Sequence, residues 1–152
     1  MRIVLQRVLR ASVTVDGERV SEIGRGYLLL VGVGRGDPSD EPERMAEKIV
    51  NLRVFADNEG MTNLPLAGVD GAILVVPQFT LYGNLRKGRR PSWGDAEDPE
   101  IAALRVEALA EALESRGARV SRGVFGAVMD VELLNDGPFT LVLEASSLSS
   151  MP

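Results

Sequence analysis

Gln78 and Thr80 are the first residues whose type and spacing suggest chemistry. They stand two apart at the end of an apolar run, Gly71-Ala72-Ile73-Leu74-Val75-Val76-Pro77. In an extended chain residues two apart share a face, so both polar side chains would point one way and Pro77, Phe79 and Leu81 the other. Four cations follow in a glycine-bearing stretch, Arg86-Lys87-Gly88-Arg89-Arg90. A buried strand that ends in hydrogen-bonding side chains beside a cationic loop can form the floor and rim of a site for an anionic ligand. The same residues also fit a strand followed by a solvated basic turn, which is what most charge runs are.

What the chain lacks narrows the chemistry further. It contains no histidine and no cysteine. That removes the usual general base at neutral pH, every Ser-His-Asp triad, thiolate metal sites, disulfides and the commonest zinc ligand. An enzyme built from this sequence must use hydroxyls, lysine, carboxylates or backbone groups, or borrow a group from its substrate. Two other stretches carry residues that ligand sites use. Gly32, Gly34 and Gly36 alternate, but no G-x-x-x-x-G-K-[ST] follows and the spacing does not suit a dinucleotide, so a strand-to-helix loop is the better reading. Asp57-Asn58-Glu59-Gly60 lacks the calcium-loop pattern and reads as a surface turn. No metal and no cofactor is expected. Asn135-Asp136-Gly137-Pro138 reads as a hairpin turn, or as one whose Gly-Pro step is cis and exposes backbone carbonyls on one side.

The elements that must position these residues follow from periodicity. At 152 residues, with 45% apolar and 26% charged residues, the chain fits one soluble domain. No apolar run approaches the ~18 residues of a membrane span, the first residues do not form a signal peptide, and a cytoplasmic location is expected. The net charge is −5, and removing the four clustered cations would leave −9. Such a surface repels nucleic acid in general but can accept phosphate locally. Residues 2–8 read as a strand, and Asp16-Gly17 as a two-residue hairpin turn. Gly26 to Val33 fits a strand buried on both faces. A helix is expected over about 41–55, capped by Asp40, with Met45, Ile49 and Leu52 as its apolar stripe. A second, capped by Asp98 with Pro99 in its first turn, runs to about Arg116. Strands at about 118–122, 128–134 and 139–144 close the core. The fold class expected is α+β, a mainly antiparallel, barrel-like sheet with two helices packed on it. Residues 1–145 form the domain and 146–152 a flexible tail.

Several of these stretches, taken together, resemble one family. Gln6-Arg7-Val8, Arg10-Ala11-Ser12-Val13-Thr14-Val15-Asp16-Gly17, Val75-Val76-Pro77-Gln78-Phe79-Thr80-Leu81-Tyr82, Arg86-Lys87-Gly88-Arg89-Arg90-Pro91-Ser92, Phe125-Gly126-Ala127-Val128-Met129 and Asn135-Asp136-Gly137-Pro138-Phe139-Thr140 are similar, in order and spacing, to the D-aminoacyl-tRNA deacylases. The resemblance implies a cytoplasmic homodimer that cleaves the ester between a D-amino acid, or mischarged glycine, and the 3′-terminal adenosine of tRNA. It implies that Gly137 and Pro138, braced by Arg7, reach from one subunit into the other's site and exclude L-amino acids. Gln78, Phe79 and Thr80 would line the catalytic pocket, Phe125 and Met129 would pack around the adenine, and Arg86, Lys87, Arg89 and Arg90 would meet phosphates near the acceptor end. One position departs: the family's strand motif usually begins with Ser, and here Pro77 stands there.

Two chemical routes fit a chain without histidine. Thr80 could act as nucleophile, although no nearby residue in the sequence supplies a base. The route favoured is assistance by the vicinal 2′-hydroxyl of the terminal ribose, with backbone N–H groups near Phe79 and Thr80 steadying the oxyanion. The alternatives in other classes are a non-catalytic module binding the tRNA acceptor end and a hydrolase of small anions.

Overall fold

In a computed structural model of the chain, residues 1–148 are described. Strand β1 (Arg2–Val15) runs unbroken through the two short segments expected there. Its turn at Asp16-Gly17 has positive φ at both positions, 50° and 80°, which suits the right-handed twist of a tight hairpin. Strands β2 (Glu18–Ile23), β3 (Gly26–Gly32), β6 (Ala72–Pro77) and β7 (Arg119–Arg122) complete the path β2-β1-β3-β6-β7, and β8 (Asp130–Leu143) pairs with β1. A small separate hairpin joins β4 (Phe55–Ala56) to β5 (Thr62–Leu64).

The sheet is mixed, which corrects the expectation of a mainly antiparallel one. β1 is antiparallel to β2, β3 and β8, but β3–β6 and β6–β7 are parallel. The reason lies in the connections. A helix stands between β3 and β6, and another between β6 and β7, and such crossovers return the chain in the same direction. The helices are α1 (Glu41–Asn51) and α2 (Pro99–Ser115). The uninterrupted apolar runs in β3 and β6 are what parallel strands buried on both faces require.

Two apolar clusters follow from this layering. Tyr27, Leu29, Val31, Ile73 and Val75 face the helices and pack with Met45, Ile49, Val106, Leu109 and Leu113. Val8, Val13, Ile23, Leu28, Leu74 and Val76 converge on the other face. There β2 approaches β6 and β7, so the sheet curls toward a barrel around them.

Several local expectations change. α1 stops at Asn51 because Leu52 is extended, though Leu52 still packs against the first cluster. Asp40 is itself helical and makes no capping bond, and Asp98 instead pairs with Arg35 at 3.2 Å. Buried Glu41 accepts a bond from the Met1 ammonium at 3.0 Å, so its charge is matched. In the 57–60 turn Asp57 accepts from the N–H groups of Met61 and Glu59 and from Asn63. The Met61 bond does most to hold its carboxyl below the usual range. Ala145–Ser147 forms a 3-10 turn and Leu148 packs in the first cluster; the rest of the expected tail, 149–152, lies outside the described residues. Among the described residues no helix is long and apolar enough to cross a membrane.

Gly26 sets how closely β3 and β6 begin. A Cβ there would lie 1.8 Å from the Ala72 carbonyl oxygen. Gly26→Ala should therefore destabilise the protein by ~3 kcal/mol or more, the upper end of ordinary overpacking, as read by urea unfolding.

Candidate active site

Gln78 and Thr80 sit where β6 leaves the sheet. Pro77 is the last β6 residue, opposite Val31. Gln78 N then donates to Val31 O at 2.7 Å, and the chain turns into a 3-10 helix, Phe79–Tyr82. The expected extended face for Gln78 and Thr80 is thus not formed. The turn brings them together nonetheless, and the Gln78 amide Nε2 donates to Thr80 Oγ1.

This turn rests on glycines. A Cβ at Gly32 would meet Gln78 O at 3.0 Å, and one at Gly34 would meet the Tyr82 ring at 2.7 Å. The alternating glycines therefore seat the turn. Arg2 holds it from beyond, donating to Leu81 O at 2.7 Å, lying 4.8 Å above the Tyr82 ring, and pairing with Glu144 at 2.6 Å. Burial first, and then the nearby Asp37, push the Tyr82 hydroxyl upward, so it stays protonated.

Within the turn the bonds run from Leu81 N to Gln78 O and from Gly83 N to Thr80 O. The N–H groups of Phe79 and Thr80 lie ahead of the first ring, where helical turns leave donors open. Phe79 lines a cavity of about 660 Å³ together with Pro77, Gln78, Trp93, Phe125 and Met129, whereas Thr80, expected in the pocket, is exposed and outside its lining. The 123–129 loop folds around Met129, whose sulfur takes the Val124 N–H at 3.3 Å. Gln78, Phe79, Phe125 and Met129 are thus brought together.

The basic residues lie next door. Asn84 and Ser92 exchange backbone bonds of 2.8 and 3.0 Å, pinching off an exposed loop that carries Arg86, Lys87, Arg89 and Arg90. None of these four makes an ion pair with the described residues. Trp93 follows Ser92 directly and reaches the cavity wall. Sequence reasoning missed it, and also missed Arg2 and Arg35. An aromatic residue just after a basic run was the available signal for Trp93.

Gly137 and Pro138 do not line this cavity; they are exposed on β8. The expected hairpin turn is instead a bulge in one continuous strand, where five steps of β8 oppose two of β1. Asn135 closes its neck by donating to Arg7 O at 2.8 Å and Phe139 O at 3.0 Å. The Gly137-Pro138 bond is cis. Arg7 braces the bulge: it donates to Asp136 O at 3.2 Å and to Val54 O, lies 3.3 Å from the Asp136 carboxylate, and stacks 4.7 Å over Phe139.

Comparison with known proteins gives this chain its family. The sequence model of the family described as D-Tyr-tRNA(Tyr) deacylase matches residues 4–144. A D-aminoacyl-tRNA deacylase of Chloroflexus aurantiacus is 56% identical over 148 residues, covering 97% of this chain and 92% of the relative. One of Fervidobacterium nodosum is 49% identical, covering 97% and 99%. Among solved structures, the c-Myc DNA Unwinding Element Binding Protein superposes with a TM-score of 0.88 at 42% identity, covering 95% of this chain and 99% of that one. A probable eukaryotic D-amino acid tRNA deacylase shares the fold, with a TM-score of 0.75 at 21% identity over 93% and 97% of the two chains. The chain belongs to the D-aminoacyl-tRNA deacylase family, hydrolases acting on ester bonds.

Arg7→Lys keeps the charge but loses the planar fork. Amide hydrogen exchange across 135–139 should rise about tenfold or more, the equivalent of a lost charged hydrogen bond, while α1 and α2 keep their protection.

Proposed function

We propose that the protein hydrolyses the ester between a D-amino acid, or mischarged glycine, and the 3′-terminal adenosine of tRNA, and rejects L-aminoacyl-tRNA. The observation that carries this reading is the turn that starts at Phe79, which brings the first free backbone donors of a 3-10 helix to the edge of an aromatic-lined cavity. In the proposed complex the adenine packs against Phe125 and Met129, and the ester carbonyl oxygen meets these N–H groups. Water attacks the carbonyl carbon, assisted by the vicinal 2′-hydroxyl. The C–O bond to the ribose 3′-oxygen breaks and that oxygen takes a proton, releasing a free amino acid and an intact tRNA end. Preorganised donors of this kind stabilise charge without a side-chain base. The hydroxyl of Thr80 takes Gln78's amide and has no base hydrogen-bonded to it among the described residues, so it is assigned no nucleophilic role.

Selectivity is assigned to Gly137 and Pro138 of a second subunit in a cytoplasmic homodimer. Support comes from the exposure of that pair away from its own chain's cavity, and from the outer edge of β8. This 14-residue strand exposes Leu134 and Val142, and pairing with a second copy would cover it. A backbone wall excludes by clash, so glycine, with no side chain to clash, passes. Phosphates near the acceptor end meet Arg86, Lys87, Arg89 and Arg90.

Thr80→Ala should keep measurable turnover of D-Tyr-tRNA, whereas a terminal 2′-deoxyadenosine should slow it by ~10²-fold or more, in line with loss of acid–base assistance. Single-turnover deacylation checks both. Abolished turnover in Thr80→Ala with tRNA still bound would move the nucleophile to Thr80.

A further inference from the structure

We propose that Trp93 is a stacking platform for the penultimate base of the tRNA 3′ end. The inference rests on the reading above, in which the cavity holds the terminal adenosine and the basic loop meets phosphate. A strand that has its last base in the cavity and its phosphates on the loop must pass the residue that borders both. Trp93 is that residue: it lines the cavity and follows the Asn84–Ser92 bridge at the neck of the loop.

Its geometry suits the task. The indole meets Phe79 edge to face, with centroids 5.0 Å apart and planes at 71°. That contact engages one side of the ring, and Trp93 remains 43% exposed. A Cβ at Gly83 would approach its Cζ3 to 3.0 Å, so one edge of the ring lies against backbone and its orientation is held. Trp93 O also accepts from Ala96 N at 3.1 Å, which anchors the mount. Charge gives the strand a path on the loop side. Arg86, Lys87, Arg89 and Arg90 make no ion pair among the described residues, whereas Asp98, beyond Trp93, is already matched by Arg35 at 3.2 Å. A phosphate backbone is drawn to these loop cations, which brings the preceding base beside the indole. Stacking of this kind tolerates any base, because every base has a π-face.

The test is a double cycle of Trp93 variants against minihelices ending in C-C-A, intact or lacking the penultimate base, with affinity read by anisotropy of a distant label. Removing the base should cost wild type and Trp93→Phe about tenfold or more in Kd. Trp93→Ala should lose a similar factor on the intact minihelix and lose nothing further when the base is removed. As the chain's only tryptophan, Trp93 should also be quenched by the intact minihelix and not by the abasic one. A structural role would instead make the two losses multiply; that result, or unchanged affinity in a folded Trp93→Ala, would overturn the proposal. Deacylation of D-Tyr-tRNA by the same wild-type preparation separates the two levels. Cleavage with a multiplicative cycle defeats only the Trp93 assignment, and absence of cleavage defeats the functional reading beneath it.

Discussion

One backbone hydrogen bond, from Gln78 N to Val31 O at 2.7 Å, marks where the sheet ends and the site begins. Up to Pro77 the chain is a parallel strand buried on both faces; beyond Gln78 it is a 3-10 turn. In the proposed mechanism a chain with no histidine aims its oxyanion donors through the backbone, and the aim of the Phe79 and Thr80 N–H groups depends on that junction. Gly32 and Gly34 leave room beneath the turn, and Arg2 ties its far end through Leu81 O and Tyr82. The rigid sheet thus supplies the positional precision that a loop alone would not.

Charge is arranged to the same end. The acidic background keeps the surface from binding nucleic acid indiscriminately, and the four cations at 86–90 are held on a pinched loop beside the cavity. The Asn84–Ser92 bridge joins these two features at a short neck. The bulge on β8 is a separate device, tied by Asn135 and Arg7 to β1 and to Val54. Its rigidity comes from the strand that carries it, because β8 continues on both sides.

Much of this was readable in the residues themselves. The apolar runs of β3 and β6 announced strands buried on both faces, Pro99 and Gly117 bracketed α2, and Asp16-Gly17 marked its turn. The parallel pairing was not readable, because strand direction depends on how crossovers close in space. A proline after an apolar run also hid the end of β6: local pattern continued the strand to Thr80, whereas packing of Leu81 and Tyr82 over two glycines bends it. Asn135 to Pro138 carries strong turn residues, yet long pairing with β1 on either side made the stretch a bulge. Gln78, Phe79, Phe125 and Met129 line one cavity, and Thr80, grouped with them by the family motifs, turns away from its lining because the strand ends in a 3-10 turn. Trp93 went unnoticed because its role arises from the fold of the loop before it.

In the proposed mechanism backbone geometry both cleaves the ester and reads its chirality. Side-by-side deacylation of D-Tyr-tRNA and L-Tyr-tRNA by the purified protein tests this most directly. Rapid loss of the D-ester with the L-ester intact is the result expected, and it would show that Pro77 leaves the chiral wall in place. Equal cleavage of both would contradict the selective role given to Gly137 and Pro138. Cleavage of neither, with tRNA still bound, would contradict the catalytic account itself.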